Sequence, residues 1–324
     1  MAKWLVTGGA GYIGAHVVKS LLDNDLEVVI VDDLSTGLKR KIPKSAKFYE
    51  LNISKTAELT NILISEKIDG VIHLAAKKAV GESMVNPSLY YQENIGGLIS
   101  LLEAMSNSNV KKIVYSSSAA VYGTPKEEKV SEKSETIPES PYGETKLVGE
   151  WLLKADEKAR KIKWISLRYF NVVGATNDEL GDTGVNNLVP MVFTAISKQQ
   201  RPQIFGNDYP TKDGTCIRDY IHVVDLADAH VLAAQKLSNN YSDILNIGTG
   251  KGYSVKEVMD LIELVVGKKI NYEYVARRSG DPAQTIADPS KALKDLNWQA
   301  KLNLKEMITS SWSAWQKHNP LNEK

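Results

Sequence analysis

Tyr142 and Lys146 stand four residues apart in the stretch Tyr-Gly-Glu-Thr-Lys. On a helix that spacing puts both side chains on one face. A free phenol, with a pKa of about 10, is a poor base near neutrality. A neighbouring ammonium favours the phenolate and lowers that value. Such a tyrosine could exchange a proton with a substrate hydroxyl. Alone, the pair reads more simply as an ordinary helix-surface pair. Ser116-Ser117-Ser118 changes this reading, because it follows an apolar strand-like run at residues 111–115. A hydroxyl at the carboxyl end of a strand can hold a reacting oxygen in place. For Ser116 and Ser117 a polar turn ending the strand remains a plausible reading.

A second constellation lies at the start of the chain. Gly8, Gly11 and Gly14 form G-x-x-G-x-x-G between a short apolar run and a helical pattern. A sharp turn out of a strand, close approach to a pyrophosphate and tight helix–sheet packing each favour glycine. The helix N-terminus then offers N–H groups and a positive dipole end to phosphates. Asp32 stands 18 positions beyond Gly14, at the end of the next strand-like run. A carboxylate there accepts from ribose hydroxyls and repels a 2′-phosphate, which favours NAD over NADP. Asp33 shares that role or is simply solvated. A glycine-rich turn with no ligand is the bland alternative.

Both constellations need a scaffold. Strand-like runs at residues 3–7, 27–31, 48–53, 70–75, 111–116 and 165–169 alternate with helical patterns at 11–22, 56–66, 94–106 and 141–159. That alternation predicts an α/β fold, a doubly wound parallel sheet of Rossmann type. It places an NAD-binding domain at residues 1–175 and a smaller mixed α/β substrate lobe at 176–324. Parts of about 215–250 are expected to pack back on the first domain. Beyond residue 174 the pattern loosens into Gly, Asn, Asp and Pro clusters.

Composition narrows the function classes. The 324 residues carry a formal net charge of +1, with 43% apolar and 24% charged residues. No global field therefore draws the chain to nucleic acid or anionic lipid. Cys216 is the single cysteine, so no intrachain disulfide forms, and a cytoplasmic location fits. Nothing at the N-terminus reads as a signal peptide, and no run is long and apolar enough to span a membrane. The histidines show no ligand spacing with Cys216, so no metal site is expected. His73 and His222 read as core histidines. Trp298, Trp312 and Trp315 read as packing for the second lobe.

Taken together, the motifs resemble the extended short-chain dehydrogenase/reductases and, more narrowly, the UDP-galactose (UDP-glucose) 4-epimerases. The resemblance runs through residues 6–14 (VTGGAGYIG), 71–76 (VIHLAA), 78–83 (KAVGES), 116–123 (SSSAAVYG), 141–143 (PYG), 168–171 (RYFN), 204–211 (IFGNDYPT) and 218–223 (RDYIHV). The glycine and Y-x-x-x-K motifs identify only the superfamily, whereas the 78–83 and 204–223 blocks are much more specific to epimerases. The resemblance implies a redox loop at C4 of a UDP-hexose, with NAD retained throughout, a place in galactose metabolism, and a homodimer. The helices at 94–106 and 141–159 are candidate dimer faces or equally core.

The resemblance also implies roles residue by residue. Tyr142 takes the O4 proton, Ser118 assists at O4, and Lys146 also holds the nicotinamide ribose. Gly8, Gly11, Tyr12, Ile13, Gly14, Asp32, Asp33, Asn52, Ile53, Leu74, Ala75, Lys78, Asn94 and Tyr169 line the cofactor with Tyr142 and Lys146. Asn171, Asn187, Leu188, Phe205, Arg218, Arg278, Asp281 and Thr285 hold the UDP-sugar with Ser118 and Tyr142. Two arginines suit a diphosphate, which they grip through planar donor forks.

Some positions depart from the family pattern. Asn52 replaces the usual aspartate beside the adenine, Ala120 replaces a common threonine, and Leu74 and Lys77 also vary. Thr285 stands where such epimerases often carry a bulky residue, so N-acetylated UDP-hexosamines become expected substrates. A 4,6-dehydratase would need an acid–base pair where Ala119 and Ala120 stand. A reductase of the superfamily would release its cofactor each turnover. A cofactor-sensing binding protein would often have lost Tyr142 or Lys146.

Overall fold

A computed structural model describes residues 2–184, 187–278 and 280–319. Its first six strands are β1 Lys3–Thr7, β2 Glu27–Asp32, β3 Lys47–Glu50, β4 Gly70–His73, β5 Lys112–Ser118 and β6 Lys163–Tyr169. The later ones are β7 Asn171–Val173, β8 Gln203–Phe205, β9 Ile217–His222, β10 Asp243–Ile247, β11 Gly252–Ser254, β12 Glu273–Val275 and β13 Gln284–Thr285. A seven-stranded sheet runs in the order β10-β6-β5-β4-β1-β2-β3. All its pairs are parallel. The chain winds outward from β1 to β3, then crosses back to β4 on the other side of β1. Ligands bind at such a switch point, outside the carboxyl ends of the strands.

Parallel strands buried on both faces must be apolar at successive positions. β1 and β2 satisfy this with Trp4-Leu5-Val6 and Val28-Val29-Ile30-Val31, all buried. Alternate residues serve opposite faces. Trp4, Val6, Val28 and Ile30 pack with Val17 and Leu21 of the helix Tyr12–Asp23 and with Leu226 and Ala233 of the helix Val223–Lys236. Leu5, Val29 and Val31 pack on the other side with Leu59 and Leu63 of the helix Thr56–Ser65 and Leu101 of the helix Gly97–Asn107.

The second lobe is built on β9. β11 pairs with it antiparallel, while β13 and β7 pair with it in parallel, and β12 pairs with β8. Its core joins Phe193, Ile204, Tyr220, Met259 and Ile262 to Trp312 and Trp315. These two indole rings stack at 5.5 Å. Trp298 departs from the expectation for it. It belongs to the core of the large sheet, where its ring N–H donates to the Asp225 carbonyl at 2.9 Å. That helix, Val223–Lys236, covers the sheet and takes Trp298 with it.

Candidate active site

The turn after β1 is cut to glycine by sterics. Gly8 has φ +73°, and a Cβ on Gly14 would stand 2.0 Å from the Gly8 carbonyl oxygen. No side chain caps the helix that begins at Tyr12, and no acidic residue lies in its first turn. Its first N–H groups have no partner within the helix, so the cradle suits a pyrophosphate. The Tyr12 side chain is engaged elsewhere, donating to the Gly174 carbonyl at 2.6 Å. Ile13 packs against the core beneath.

Asp32 ends β2 and is buried, accepting from the backbone N–H groups of Ala10 and Leu34 at 2.9 and 2.8 Å. Burial raises its pKa, partly offset by those two bonds. Each oxygen has a second lone pair for a ribose hydroxyl. Burial also pushes Asp33 upward, but hydrogen bonds from Ser35 and Asn52 outweigh it, and the net shift is downward. The Asn52 amide donates to Asp33 at 2.8 Å, so the departure at 52 is absorbed by its neighbour. Ile53 is buried nearby. Leu74 and Ala75 continue from β4 and are half-buried, and Ala75 N is 2.7 Å from where a Gly8 Cβ would stand. Asn94 is buried and spends its amide on Lys77 O (3.0 Å), Lys77 N (2.8 Å) and Thr145 Oγ1 (3.0 Å). It therefore fixes the loop that presents the exposed Lys78.

The helix Pro141–Arg160 carries the candidate catalytic pair, Tyr142 and Lys146. Pro141 opens it and Ser140 caps it, accepting from Gly143 N at 3.2 Å. Gly149 lets it lie against β5, because a Cβ there would come within 2.2 Å of the Tyr115 hydroxyl. Tyr142, Lys146 and Glu150 fall on successive turns and all meet the serine strand. The Ser118 hydroxyl accepts from Ala120 N at 3.2 Å and acts against the upward shift that burial gives the Tyr142 phenol. Lys146 Nζ donates to the Ser116 carbonyl at 2.8 Å, and Ser117 Oγ donates to Glu150 at 2.7 Å. Ser116 Oγ pairs with the Tyr169 hydroxyl at 2.7 Å. The three serines belong to the strand itself rather than to a turn after it, since β6 pairs with β5 as far as Ser118↔Tyr169.

The electrostatics depart from the expectation that Lys146 lowers the Tyr142 pKa. Burial raises the phenol, and the Ser118 hydroxyl opposes that rise. Lys146 is itself pushed down to about 7 by burial. Its ammonium sits 5.8 Å from the Tyr142 ring centroid and 5.2 Å from that of Tyr115, bonded to a carbonyl instead. Both groups are desolvated, so each loses charge before it can stabilise the other.

Behind this face lies a buried ion pair that the sequence did not announce. Arg168 of β6 donates to both oxygens of Glu150, at 2.8 and 2.6 Å. The two side chains are 3% and 1% exposed. Removing one partner of such a pair would leave an uncompensated buried charge, a cost of about 3–5 kcal/mol.

The second lobe supplies the remaining residues. Arg218 of β9 bonds Asp281, and its other nitrogen donates to the Ile217 carbonyl at 2.7 Å. Arg278 lays its guanidinium 3.8 Å from the Phe205 ring centroid. Thr285 lies beside Arg218 in the sheet and is buried. Asn171 opens β7 and is exposed. Asn187 donates to Asp182 at 2.5 Å, just before the half-buried Leu188. Three side chains from the first domain clasp residues 174–181. Tyr12 bonds Gly174, His16 Nε2 accepts from Thr176 N at 3.1 Å, and buried Lys41 donates to Gly181 O at 2.7 Å. Tyr12 was expected at the cofactor, and no local signal marked His16 or Lys41. Among the described residues no group of three His, Cys, Asp or Glu could hold a metal ion.

Comparison with known proteins gives a consistent picture. The model of the NAD dependent epimerase/dehydratase family matches residues 4–248. The UDP-glucose 4-epimerase of Lactobacillus helveticus is 44% identical, over 98% of this chain and 98% of its own. A crystal structure of UDP-glucose 4-epimerase from Stenotrophomonas maltophila, with bound NAD and formylated UDP-arabinopyranose, superimposes with a TM-score of 0.94. It is 39% identical, covering 98% of this chain and 99% of that one. The UDP-Glc/GlcNAc 4-epimerase of Campylobacter jejuni is 38% identical with a TM-score of 0.86, over 98% of this chain and 100% of that one.

Proposed function

The chain belongs to the NAD-dependent epimerase/dehydratase family, and from that premise we propose that it interconverts UDP-galactose and UDP-glucose by a redox loop at C4. One observation carries the reading. Tyr142 and Lys146 are buried together beside Ser118 at the carboxyl end of β5, in a chain similar to UDP-glucose 4-epimerases over nearly its whole length.

Gly8, Gly11, Gly14 and Asp32 would hold NAD, with Tyr12, Ile13, Asp33, Asn52, Ile53, Leu74, Ala75, Lys78, Asn94 and Tyr169 around it. NAD, when bound, supplies the acceptor and donor of the C4 hydride and, in its oxidised form, a positive ring. Tyr142 takes the O4 proton and returns it after the 4-keto sugar has presented its other face. Ser118 holds O4 and favours the phenolate. Lys146 donates to the Ser116 carbonyl, its Nζ 5.8 Å from the Tyr142 ring centroid, and would also hold the nicotinamide ribose. Arg218, Arg278, Asn187 and Phe205 would grip the UDP moiety, with Asn171, Leu188, Asp281 and Thr285 completing the pocket. In this proposal residues 1–175, with the helix Val223–Lys236, β10 and Trp298 returning to their sheet, form the NAD-binding domain, and the rest of 176–324 forms the UDP-sugar lobe.

The test is to incubate the protein as purified with UDP-galactose, without added NAD, and to follow UDP-glucose by proton NMR. Product confirms the reading, and its absence after NAD has been loaded rejects it. UDP-GlcNAc in a parallel sample reads the effect of the small Thr285. Turnover to UDP-GalNAc extends the substrate range, and no turnover at high enzyme removes that extension.

A homodimer is also part of the proposal. Met84, Tyr91, Ile99 and Trp151 are large, exposed and carried by neighbouring helical segments. Light scattering should give twice the chain mass of 35.8 kDa, and a monomer at micromolar concentration would refute it. No helix among the described residues is long and apolar enough to cross a membrane. A cytoplasmic location rests on the single cysteine, and recovery outside the cytoplasm on fractionation would remove it.

A further inference from the structure

We propose that Tyr122, acting with Glu150, Arg168 and Ser117, is a positioning residue for proton transfer by Tyr142. The inference rests on the epimerase reading but concerns groups that touch neither sugar nor cofactor in it.

The helix Pro141–Arg160 meets β5 through three successive turns, at Tyr142, Lys146 and Glu150. The third turn has no freedom to slide. Glu150 accepts from Ser117 Oγ at 2.7 Å, while Arg168 takes both its oxygens. Arg168 is fixed in turn, because its remaining terminal nitrogen donates to the Tyr122 hydroxyl at 3.1 Å. That hydroxyl donates to Asn246 Oδ1 at 2.6 Å, on β10 at the edge of the sheet. Asn246 Nδ2 donates to the Val130 carbonyl at 2.9 Å, and Val130 N donates to the carbonyl of Ile286, beside Thr285, at 2.9 Å. Ser117, Tyr122, Glu150, Arg168 and Asn246 are all 3% exposed or less.

The network thus joins the residue before Ser118, the helix of Tyr142 and the strand of Thr285. Tyr122 is its hinge, since it ends the turn Ala119–Tyr122 that follows Ser118 directly. A displacement of about 1 Å between base and substrate oxygen can cost a hundredfold in rate. A network with every member satisfied holds one arrangement more firmly than packing alone.

The test compares Tyr122→Phe and Ser117→Ala with wild type. Each removes one hydroxyl and leaves the buried ion pair whole, so folding is retained where a change at Glu150 or Arg168 would endanger it. Both variants are expected to lower kcat for UDP-galactose by roughly tenfold or more, with KM unchanged. The acid limb of the kcat profile should move to higher pH as the end of β5 loosens and the Ser118 hydroxyl no longer opposes the upward shift that burial gives Tyr142. The other titratable groups around that phenol are Lys146 on its own helix, Tyr115 on β5, Tyr169 on β6 and Tyr90. None of them is altered in either variant.

Ile262→Ala, in the core of the second lobe, controls for lost stability. It should lower Tm without moving the acid limb. The Tyr142 phenol is also titrated by ultraviolet difference against Tyr142→Phe, and should titrate at higher pH in Tyr122→Phe. Wild-type kcat, an unmoved acid limb and an unmoved phenol in both variants overturn the positioning role. So does Ile262→Ala reproducing the same pH shift. A wild-type protein that does not turn over UDP-galactose contradicts the epimerase reading alone, because the phenol titration still decides the role of Tyr122.

Discussion

Lys146 Nζ donates to the Ser116 carbonyl while the Ser118 hydroxyl opposes the upward shift of Tyr142, so the serine strand acts on both members of the proposed catalytic pair. Substitution should separate them. Tyr142→Phe keeps the ring and its packing but removes the proton carrier. It is expected to cut kcat by roughly a hundredfold or more, with UDP binding intact by calorimetry. Near-normal kcat would take Tyr142 out of its role. The spacing of four placed Tyr142 and Lys146 on one face, and Ser118 at a strand end, before any coordinates. It did not foretell that Lys146 would be desolvated to a pKa of about 7. Burial depends on Tyr115 and the close approach at Gly149, neither of which reads as a signal around residue 146. The Glu150–Arg168 pair was hidden for the same reason, because a buried ion pair and two solvated charges look alike in a sequence.

Among the elements, the turn between β1 and the helix Tyr12–Asp23 leaves no room for a side chain at Gly14. A Cβ at Gly14 meets backbone, not a movable side chain. Gly14→Ala is therefore expected to fold but to purify with little or no bound NAD, as read by nicotinamide absorbance after denaturation. A full complement of NAD would show that the cradle tolerates the methyl group. Helix and strand positions of the first half were legible because the apolar pattern switches period from element to element. Ends were less so. β5 runs on through Ser118 because β6 pairs with it that far. The turn Tyr91–Gly96 is a π-helix, which sets Asn94 against the Lys77 backbone. No propensity at residues 91–96 marks that widening, and such bulges often occur near functional sites.

At the scale of the whole molecule, two lobes share one chain that crosses between them more than once. β10 joins the large sheet after the chain has visited the second lobe, and Trp298 packs back on the same core. These returns escape sequence reading because they are non-local pairings between short segments with no distinguishing pattern. The fold also buries four histidines. Burial pushes His16, His222 and His230 down to about 4 and His73 to about 3. A folded pKa below the unfolded value of about 6.5 means that the unfolded chain takes up protons first as pH falls. Stability from these groups is therefore present above pH ~6.5 and lost towards pH ~4, on the order of 1–2 kcal/mol each at pH 5. The buried carboxylates Asp32, Asp219 and Asp225 are shifted upward by burial and work in the opposite direction. The histidine share is isolated by His230→Leu, which should lose less Tm than wild type between pH 7 and pH 5. An equal loss would mean that His230 is protonated in the folded protein. All of this scaffolding serves one claim, that hydride leaves C4 and returns to C4 through a cofactor that never departs. The direct measurement is to give the protein, as purified, UDP-galactose deuterated at C4 in ordinary water, and to examine the UDP-glucose formed by NMR. Product that keeps its deuterium at C4 is the expected result. No product, or product carrying a solvent proton at C4, would contradict the account.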